Sequence, residues 1–147
     1  MIGRADEFDE LAPETRTRWM NFGRWSRPYF PQVVGIEVLD VRLDYCRMRL
    51  PFRPELEQPM GIVHGGAIAT LIDVVVVPAI GSAYEDETGF STVDLQIQYL
   101  RPLVTESAIA EGIVVKRGRR IIFCSAEVIG ETSGKLVARG ALTYAVG

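Results

Sequence analysis

The feature that most constrains the fold is a long apolar run over residues 67–79. The run exceeds the usual length of a strand, and it lacks the two-residue alternation of a half-buried strand. We therefore predict a helix that is buried on most sides, even though its four consecutive valines favour strands. Pro78 should kink or end this helix, because proline has no backbone N–H to donate.

Strand patterns lie on both sides of the predicted helix. Residues 33–50 alternate between apolar and polar, with a change of phase near Asp44 that predicts a bulge or a tight turn. One buried helix beside an antiparallel sheet is an α+β architecture. After the helix the alternation becomes strict, and we predict strands over residues 92–99, 107–116, 120–129 and 136–146.

The N-terminal part of the chain predicts one further helix. Apolar residues fall near one face over residues 5–25, and Pro28 and Pro31 end this pattern. No linker separates a second domain, and a length of 147 residues suits one domain. We therefore expect a single domain over residues 1–147, in which residues 1–32 form a helical extension.

Composition excludes several classes of function. A net charge of −3 argues against a general nucleic-acid-binding protein. The first ten residues lack the apolar core of a signal peptide, and no apolar run approaches the roughly 20 residues of a membrane span. Cys46 and Cys124 lie in apolar stretches, which indicates buried free thiols in a reducing compartment. We expect a cytoplasmic protein that contacts no membrane and, with a single histidine and no cysteine cluster, holds no metal or other cofactor.

Asp73 is the anomaly of the apolar helix. A buried carboxylate is costly unless other groups satisfy it, so such a residue is a candidate general base or nucleophile. Two plainer interpretations stay open: Asp73 belongs to a small polar stripe with Thr70, or it pairs with an arginine.

His64, Gly65 and Gly66 precede the apolar run and mark the N-terminus of the helix. Free backbone N–H groups at such a terminus can bind the oxyanion that forms when a carbonyl is attacked. A tight turn with His64 as a polar cap explains the same residues. His64 and Asp73 are nine residues apart, about two and a half helical turns. A two-fold dimer would bring Asp73 of one chain near Gly65 of the other.

Several spaced motifs occur in order between about residue 33 and residue 146. They are Gly61-x-x-His64-Gly65-Gly66, Leu71-x-Asp73, Thr92-Val93-Asp94-Leu95, Tyr99-Leu100-Arg101-Pro102, Arg117-Gly118-Arg119 and Leu136-Val137-Ala138-x-Gly140. This set resembles the phenylacetic-acid-degradation (PaaI) type of hotdog-fold acyl-CoA thioesterase, within the 4-hydroxybenzoyl-CoA thioesterase superfamily. The resemblance implies an antiparallel sheet wrapped around one long helix, and hydrolysis of an acyl-CoA to free acid and CoA by a homodimer or homotetramer.

The resemblance also assigns catalytic roles. Asp73 matches the acidic residue that acts as base or nucleophile, and Gly65 matches the glycine whose N–H polarises the thioester carbonyl. His64 matches the residue that supports this turn, Gln58 a residue that contacts the reaction centre, and Thr92 one that positions water. The chain departs from the family at position 77, where valine replaces a hydroxyl that some relatives carry, and at Pro78 within the helix.

A second group of residues is predicted to bind the substrate rather than to take part in the reaction. Arginine geometry suits the phosphates of coenzyme A, although the basic cluster after residue 115 is equally interpreted as a solvated hairpin tip. Trp19, Phe22 and Trp25 are candidates for an acyl pocket or for core packing. The predicted substrate-binding residues are Gly66, Phe90, Ser91, Arg101, Arg117, Gly118, Arg119 and Arg120.

Two other functions remain open at the level of sequence. A hotdog hydratase or dehydratase also uses a histidine and an acid, but with a different spacing. A non-catalytic acyl-CoA-binding protein would gain stability by replacing Asp73 with a hydrophobic residue.

Overall fold

The computed structural model describes residues 2–147; Met1, where the predicted domain begins, lies outside the described residues. These residues form three α-helices, two 3-10 turns and six strands. The helices are α1 (Pro13–Met20), α2 (Phe30–Val34) and α3 (Gly65–Gly81), the 3-10 turns are Ala5–Glu7 and Pro54–Leu56, and the strands are β1 (Glu37–Arg42), β2 (Tyr45–Leu50), β3 (Phe90–Tyr99), β4 (Ala108–Arg117), β5 (Ile121–Gly130) and β6 (Leu136–Val146).

A single antiparallel sheet with the strand order β1-β2-β4-β5-β6-β3 covers α3. The helix packs mainly against β2, β4 and β5, and its buried side chains form the core with the inward-facing residues of these strands. Both cysteines are buried in this core and free, as predicted. The predicted α+β architecture, a sheet around one long helix with an extra N-terminal helix, is confirmed.

Close packing of α3 on the sheet depends on a missing side chain at Gly112. A Cβ there would lie 2.9 Å from Val75 Cγ1 and 3.1 Å from the Val75 carbonyl carbon, which cannot move aside independently of the helix. We expect Gly112→Ala to lower the free energy of unfolding by about 2 kcal/mol, as overpacking of a dense core does. Denaturant unfolding measures this loss. Gly89→Ala is the control, since its Cβ would meet its nearest neighbour at an ordinary 3.9 Å; equal losses in both variants would contradict the packing argument.

Pro78 lies inside α3, and the helix continues to Gly81. The proline removes one backbone hydrogen bond in the last turn, where little of the helix remains to be broken. Other groups satisfy the C-terminal carbonyls: Ser82 N–H donates to Pro78 O at 2.8 Å, and Arg117 Nη2 to Ile80 O at 3.0 Å. Of the two effects predicted for Pro78, it does not end the helix, which runs on to Gly81.

The change of phase near Asp44 is a tight turn. Arg42 and Tyr45 are paired across β1 and β2, which leaves two residues in the turn. Asp44 has a φ of 62°, a left-handed conformation that suits such turns. Its N–H donates to Ser82 Oγ at 2.9 Å, so the hairpin is fixed to the C-terminal end of α3.

The helix predicted over residues 5–25 is shorter than expected. Proline in the first turn starts α1 at Pro13, and Gly23 with a φ of 92° follows its end. The residues before α1 instead cross the outer face of the sheet, because the buried Glu111 carboxylate accepts the N–H of Gly3 at 2.8 Å and of Arg4 at 3.3 Å.

Candidate active site

The N-terminus of α3 presents an open backbone donor. His64 is the N-cap, and its Nδ1 accepts the N–H of Gly66 at 2.8 Å. The Ala67 N–H donates to His64 O at 2.9 Å, whereas the Gly65 N–H has no hydrogen-bond partner within residues 2–147. An unpaired N–H at the positive end of a helix is suited to stabilise an oxyanion. His64 as a polar cap and an oxyanion site at this turn are therefore compatible, since the cap leaves the amide of Gly65 free.

Tyr99 holds this turn from the end of β3. Its hydroxyl donates to Gly65 O at 2.7 Å, and its ring would lie 3.3 Å from a Cβ at position 65. Partial burial raises the pKa of the Tyr99 hydroxyl, which therefore stays a donor. Gly65, Ile68 and Tyr99 line one open groove together with residues 100–103. The sequence placed Tyr99 in a motif but indicated no role for it.

Asp73 is half-buried and hydrogen-bonded from two strands. Its Oδ1 accepts Thr92 Oγ1 at 2.9 Å and the Tyr144 hydroxyl at 2.7 Å. Thr70 lies one helical turn before Asp73, and its Oγ1 donates to Gly66 O at 2.8 Å rather than to the carboxylate. Among the described residues, no arginine forms an ion pair with Asp73. The arginine pairing is therefore not found, the polar stripe with Thr70 stays open, and two neutral hydroxyls hold the carboxylate.

The sequence did not identify Tyr144, although a signal was present. Tyr144 continues the inward-facing alternation of β6 after Gly140 and Leu142, and a tyrosine on a buried face needs a partner for its hydroxyl. The carboxylate on the apolar helix was the obvious candidate for that partner.

Gln58 lies in the turn just before α3. Its Oε1 accepts the N–H of Met60, and its own N–H donates to Ile62 O at 2.8 Å. The His64 N–H donates to Leu56 O at 2.7 Å, so this turn is held beside the helix N-terminus. Gln58 is therefore near Gly65, and its contact with a substrate stays a prediction.

One chain by itself does not bring the two halves of the site together. Gly65 and Asp73 are eight residues apart on one helix, which is about 12 Å along its axis. Thr92 and Phe90 lie on β3 beside Asp73, whereas Tyr99 lies at the opposite end of that strand beside Gly65. Ser91, between Phe90 and Thr92, points to the other face of the sheet.

Arg117 points inward rather than toward solvent. Its Nη2 lies 2.5 Å from Asp44 Oδ1 and 3.0 Å from Ile80 O, and its guanidinium lies 5.1 Å from the centre of the Tyr84 ring. A cation at the C-terminus of α3 is favoured by the helix dipole. The structure thus gives Arg117 a structural use, and its predicted contact with a substrate phosphate stays a prediction without support from this geometry.

The other basic residues are exposed and belong to different surfaces. Gly118 closes the β4–β5 turn by donating its N–H to Ile121 O at 2.9 Å, and Arg119 and Arg120 follow it. Arg101 donates to Leu136 O at 3.0 Å near the other end of the sheet. Within one chain the β4–β5 turn lies beside the C-terminal end of α3, the full length of the helix away from Gly65.

The N-terminal aromatic residues form an open groove with β3. Trp19, Phe22 and Trp25 line it on one side and Phe90 on the other, and the volume is about 640 Å³. The Phe22 and Trp25 rings meet edge to face with centroids 5.0 Å apart. Phe90 and Thr92 are two residues apart on the same face of β3, about 7 Å. The groove therefore begins close to the side chains that hold Asp73.

Comparison with known proteins agrees with this geometry. Residues 60–137 match the model of the thioesterase superfamily. Acyl-coenzyme A thioesterase 13 of Mus musculus is 33% identical over 103 residues, which cover 69% of this chain and 71% of that protein. The chain belongs to the thioesterase superfamily.

Solved structures extend the comparison to the fold. Zebrafish thioesterase superfamily member 2 superposes with a TM-score of 0.77 and 26% identity, covering 88% of this chain and 94% of that one. A mutant of the phenylacetic acid degradation protein PaaI from Thermus thermophilus superposes with a TM-score of 0.71 and 25% identity, covering 79% and 96%. The predicted resemblance to PaaI-type hotdog thioesterases is therefore confirmed.

Proposed function

We propose that this chain hydrolyses an acyl-CoA thioester to the free acid and CoA, with Asp73 as the reacting carboxylate. The observation that carries the proposal is Asp73 itself, an ionisable side chain on an otherwise apolar helix that two hydroxyls hold in one orientation. The similarity to acyl-coenzyme A thioesterase 13 supports a coenzyme A ester as the substrate.

The mechanism uses the two ends of the site. The thioester carbonyl accepts the Gly65 N–H, which stabilises the negative charge that develops on its oxygen. Asp73 then removes a proton from an attacking water, and the tetrahedral intermediate collapses with release of CoA thiolate, which takes up a proton. In the alternative route the Asp73 carboxylate attacks first, CoA leaves, and water hydrolyses the resulting mixed anhydride. In both routes His64 supports the turn, while Gln58 and Thr92 orient substrate, water or the carboxylate.

The proposed site is shared between two copies of the chain. β3 is an edge strand of ten residues, and its Val93 and Tyr99 are 57% and 52% exposed. A long exposed edge is a template for strand pairing. When two copies of β3 pair antiparallel about their midpoint, residue 99 of one copy lies opposite residue 90 of the other. The Gly65 turn held by Tyr99 then faces the partner chain's Thr92 and Asp73.

A homodimer is therefore the smallest active unit, and a homotetramer built from two such dimers is compatible with it. In this unit the aromatic groove beside Phe90 receives the acyl group, an aryl or medium-length chain, and Gly66 borders the substrate; the predicted contact of Ser91 has no support from the direction of its side chain. Arg119 and Arg120 are the exposed arginines best able to bind the CoA phosphates.

No helix among residues 2–147 has both the length and the apolar character to cross a membrane. We propose a cytoplasmic enzyme that acts without metal or other cofactor, contacts neither membrane nor nucleic acid, and meets coenzyme A only within its substrate.

The test is release of CoA thiol from a panel of acyl-CoAs that includes aryl, short-chain and medium-chain esters. We expect turnover that depends on the acyl group and is best for groups that fit the aromatic groove. Binding of CoA esters without turnover of any member would contradict hydrolysis and favour the non-catalytic acyl-CoA-binding function. Water addition to an unsaturated acyl-CoA with the thioester intact would indicate the hydratase alternative.

A further inference from the structure

The Asp73 carboxylate is held asymmetrically. Both side-chain hydrogen bonds that it accepts end on Oδ1, from Thr92 Oγ1 at 2.9 Å and from the Tyr144 hydroxyl at 2.7 Å. Over the described part of the chain, Oδ2 accepts no hydrogen bond and joins no ion pair. The lone pairs of Oδ2 therefore remain available to an external group.

Tyr144 is the rigid member of this pair. It is only 3% exposed and rises from the inner face of β6, directly opposite Thr92 in the sheet register. Its hydroxyl also lies 2.8 Å from the backbone oxygen of Asp73. A hydroxyl has one proton to donate, and a bond to a charged carboxylate is stronger than one to a neutral carbonyl. The proton is therefore directed mainly at Oδ1.

The surroundings keep Tyr144 a donor. Burial raises the pKa of the Tyr144 hydroxyl; the Thr92 hydroxyl opposes this shift, and the Asp73 carboxylate adds to it. The other titratable group near this pair is the thiol of Cys124 on β5, and burial raises its pKa to about 12, so it is neutral at physiological pH. The Tyr144 hydroxyl therefore stays protonated and donates its hydrogen bond to Asp73.

We propose that Tyr144 is a positioning residue that fixes Asp73 through Oδ1, so that Oδ2 is the oxygen that meets the attacking water or the thioester carbonyl. The inference rests on the proposed function, because it assigns a role within the same reaction. Tyr144 touches no substrate. It limits the rotation of the carboxylate, so the reacting oxygen occupies one position before substrate binds.

The test compares Tyr144→Phe with Tyr45→Phe on the best acyl-CoA of the panel. For Tyr144→Phe we expect a fall in kcat of about tenfold with little change in KM. Tyr45 is the matched control, since it is also buried and its hydroxyl donates to a carboxylate, Glu111 Oε1, at 2.8 Å. Its contact lies on the outer face of the sheet, so Tyr45→Phe should change thermal stability but neither kcat nor KM.

A Tyr144→Phe enzyme with wild-type kcat would overturn the inference. If that variant does not fold, Thr92→Val removes the other donor from an exposed position and should lower kcat in the same way; an unchanged kcat again overturns it. A crystal structure of Tyr144→Phe without substrate should show the Asp73 carboxylate rotated from its wild-type orientation, and an unchanged orientation would overturn the inference. A wild type that turns over no thioester would defeat the proposed function, while the orientation of the Asp73 carboxylate would still decide the role of Tyr144.

Discussion

Asp73→Asn is expected to lower kcat by about a thousandfold or more, because it removes the group that activates water or attacks the thioester. Asparagine preserves the shape of the side chain, and its amide oxygen can still accept the hydrogen bonds of Thr92 and Tyr144. Affinity for a CoA ester should therefore change little. Thiol release measures kcat, and calorimetric titration with a non-hydrolysable CoA thioether measures binding.

Asp73→Ala should be equally inactive but less stable. Truncation removes the carboxylate that accepts the hydrogen bond of the buried Tyr144 hydroxyl, and it opens a cavity beside α3. Comparison of Asp73→Asn with Asp73→Ala thus separates the loss of catalysis from the loss of stability. Residual turnover within about tenfold of the wild type in a folded Asp73→Asn would show that another group performs the reaction.

The helix and its site were predictable because two local signals agree. The apolar run predicts burial on most sides, and the two glycines after His64 mark a helix start at which the amide of Gly65 stays open. Asp73 was conspicuous, since burying a carboxylate within such an apolar run is costly unless other groups bind it. These signals depend only on neighbours in the sequence, and the structure confirms α3 to within two residues at its start and its end.

The partners of Asp73 were harder to predict because they come from strands far along the chain. Tyr144 lies 71 residues from Asp73, and only the sheet register places it opposite Thr92. Arg117 was hard to place for a related reason: composition predicts an exposed turn, which Arg119 and Arg120 form, but Arg117 is drawn inward by Asp44 and the carbonyls that end α3. The N-terminal helix is shorter than predicted because it begins only at Pro13, whereas Gly3 and Arg4 bind Glu111 on a distant strand.

A mixture of two inactive variants is expected to regain activity if the site is shared. Gly65→Pro removes the proposed oxyanion donor at the first helical position, where proline is well accepted. His64 has a ψ of 134°, the conformation that a residue before proline favours, so the turn should survive. Gly65→Ala keeps the N–H and controls for the added side chain, whose Cβ would lie 3.3 Å from the Tyr99 ring. We expect Gly65→Pro to be nearly inactive and Gly65→Ala to retain most of the activity.

Co-refolding Asp73→Asn with Gly65→Pro should then restore about a quarter of the wild-type activity, since half of the dimers are mixed and each mixed dimer has one intact site of two. The intact site takes Gly65 from the Asp73→Asn chain and Asp73 from the Gly65→Pro chain. Different affinity tags on the two variants allow mixed dimers to be purified, and these should reach about half of the wild-type activity. Purified mixed dimers without activity would place both groups of each site in one chain and exclude the β3–β3 arrangement. A chain carrying both substitutions provides the control, because its mixed dimers with wild type contain no intact shared site and should be inactive.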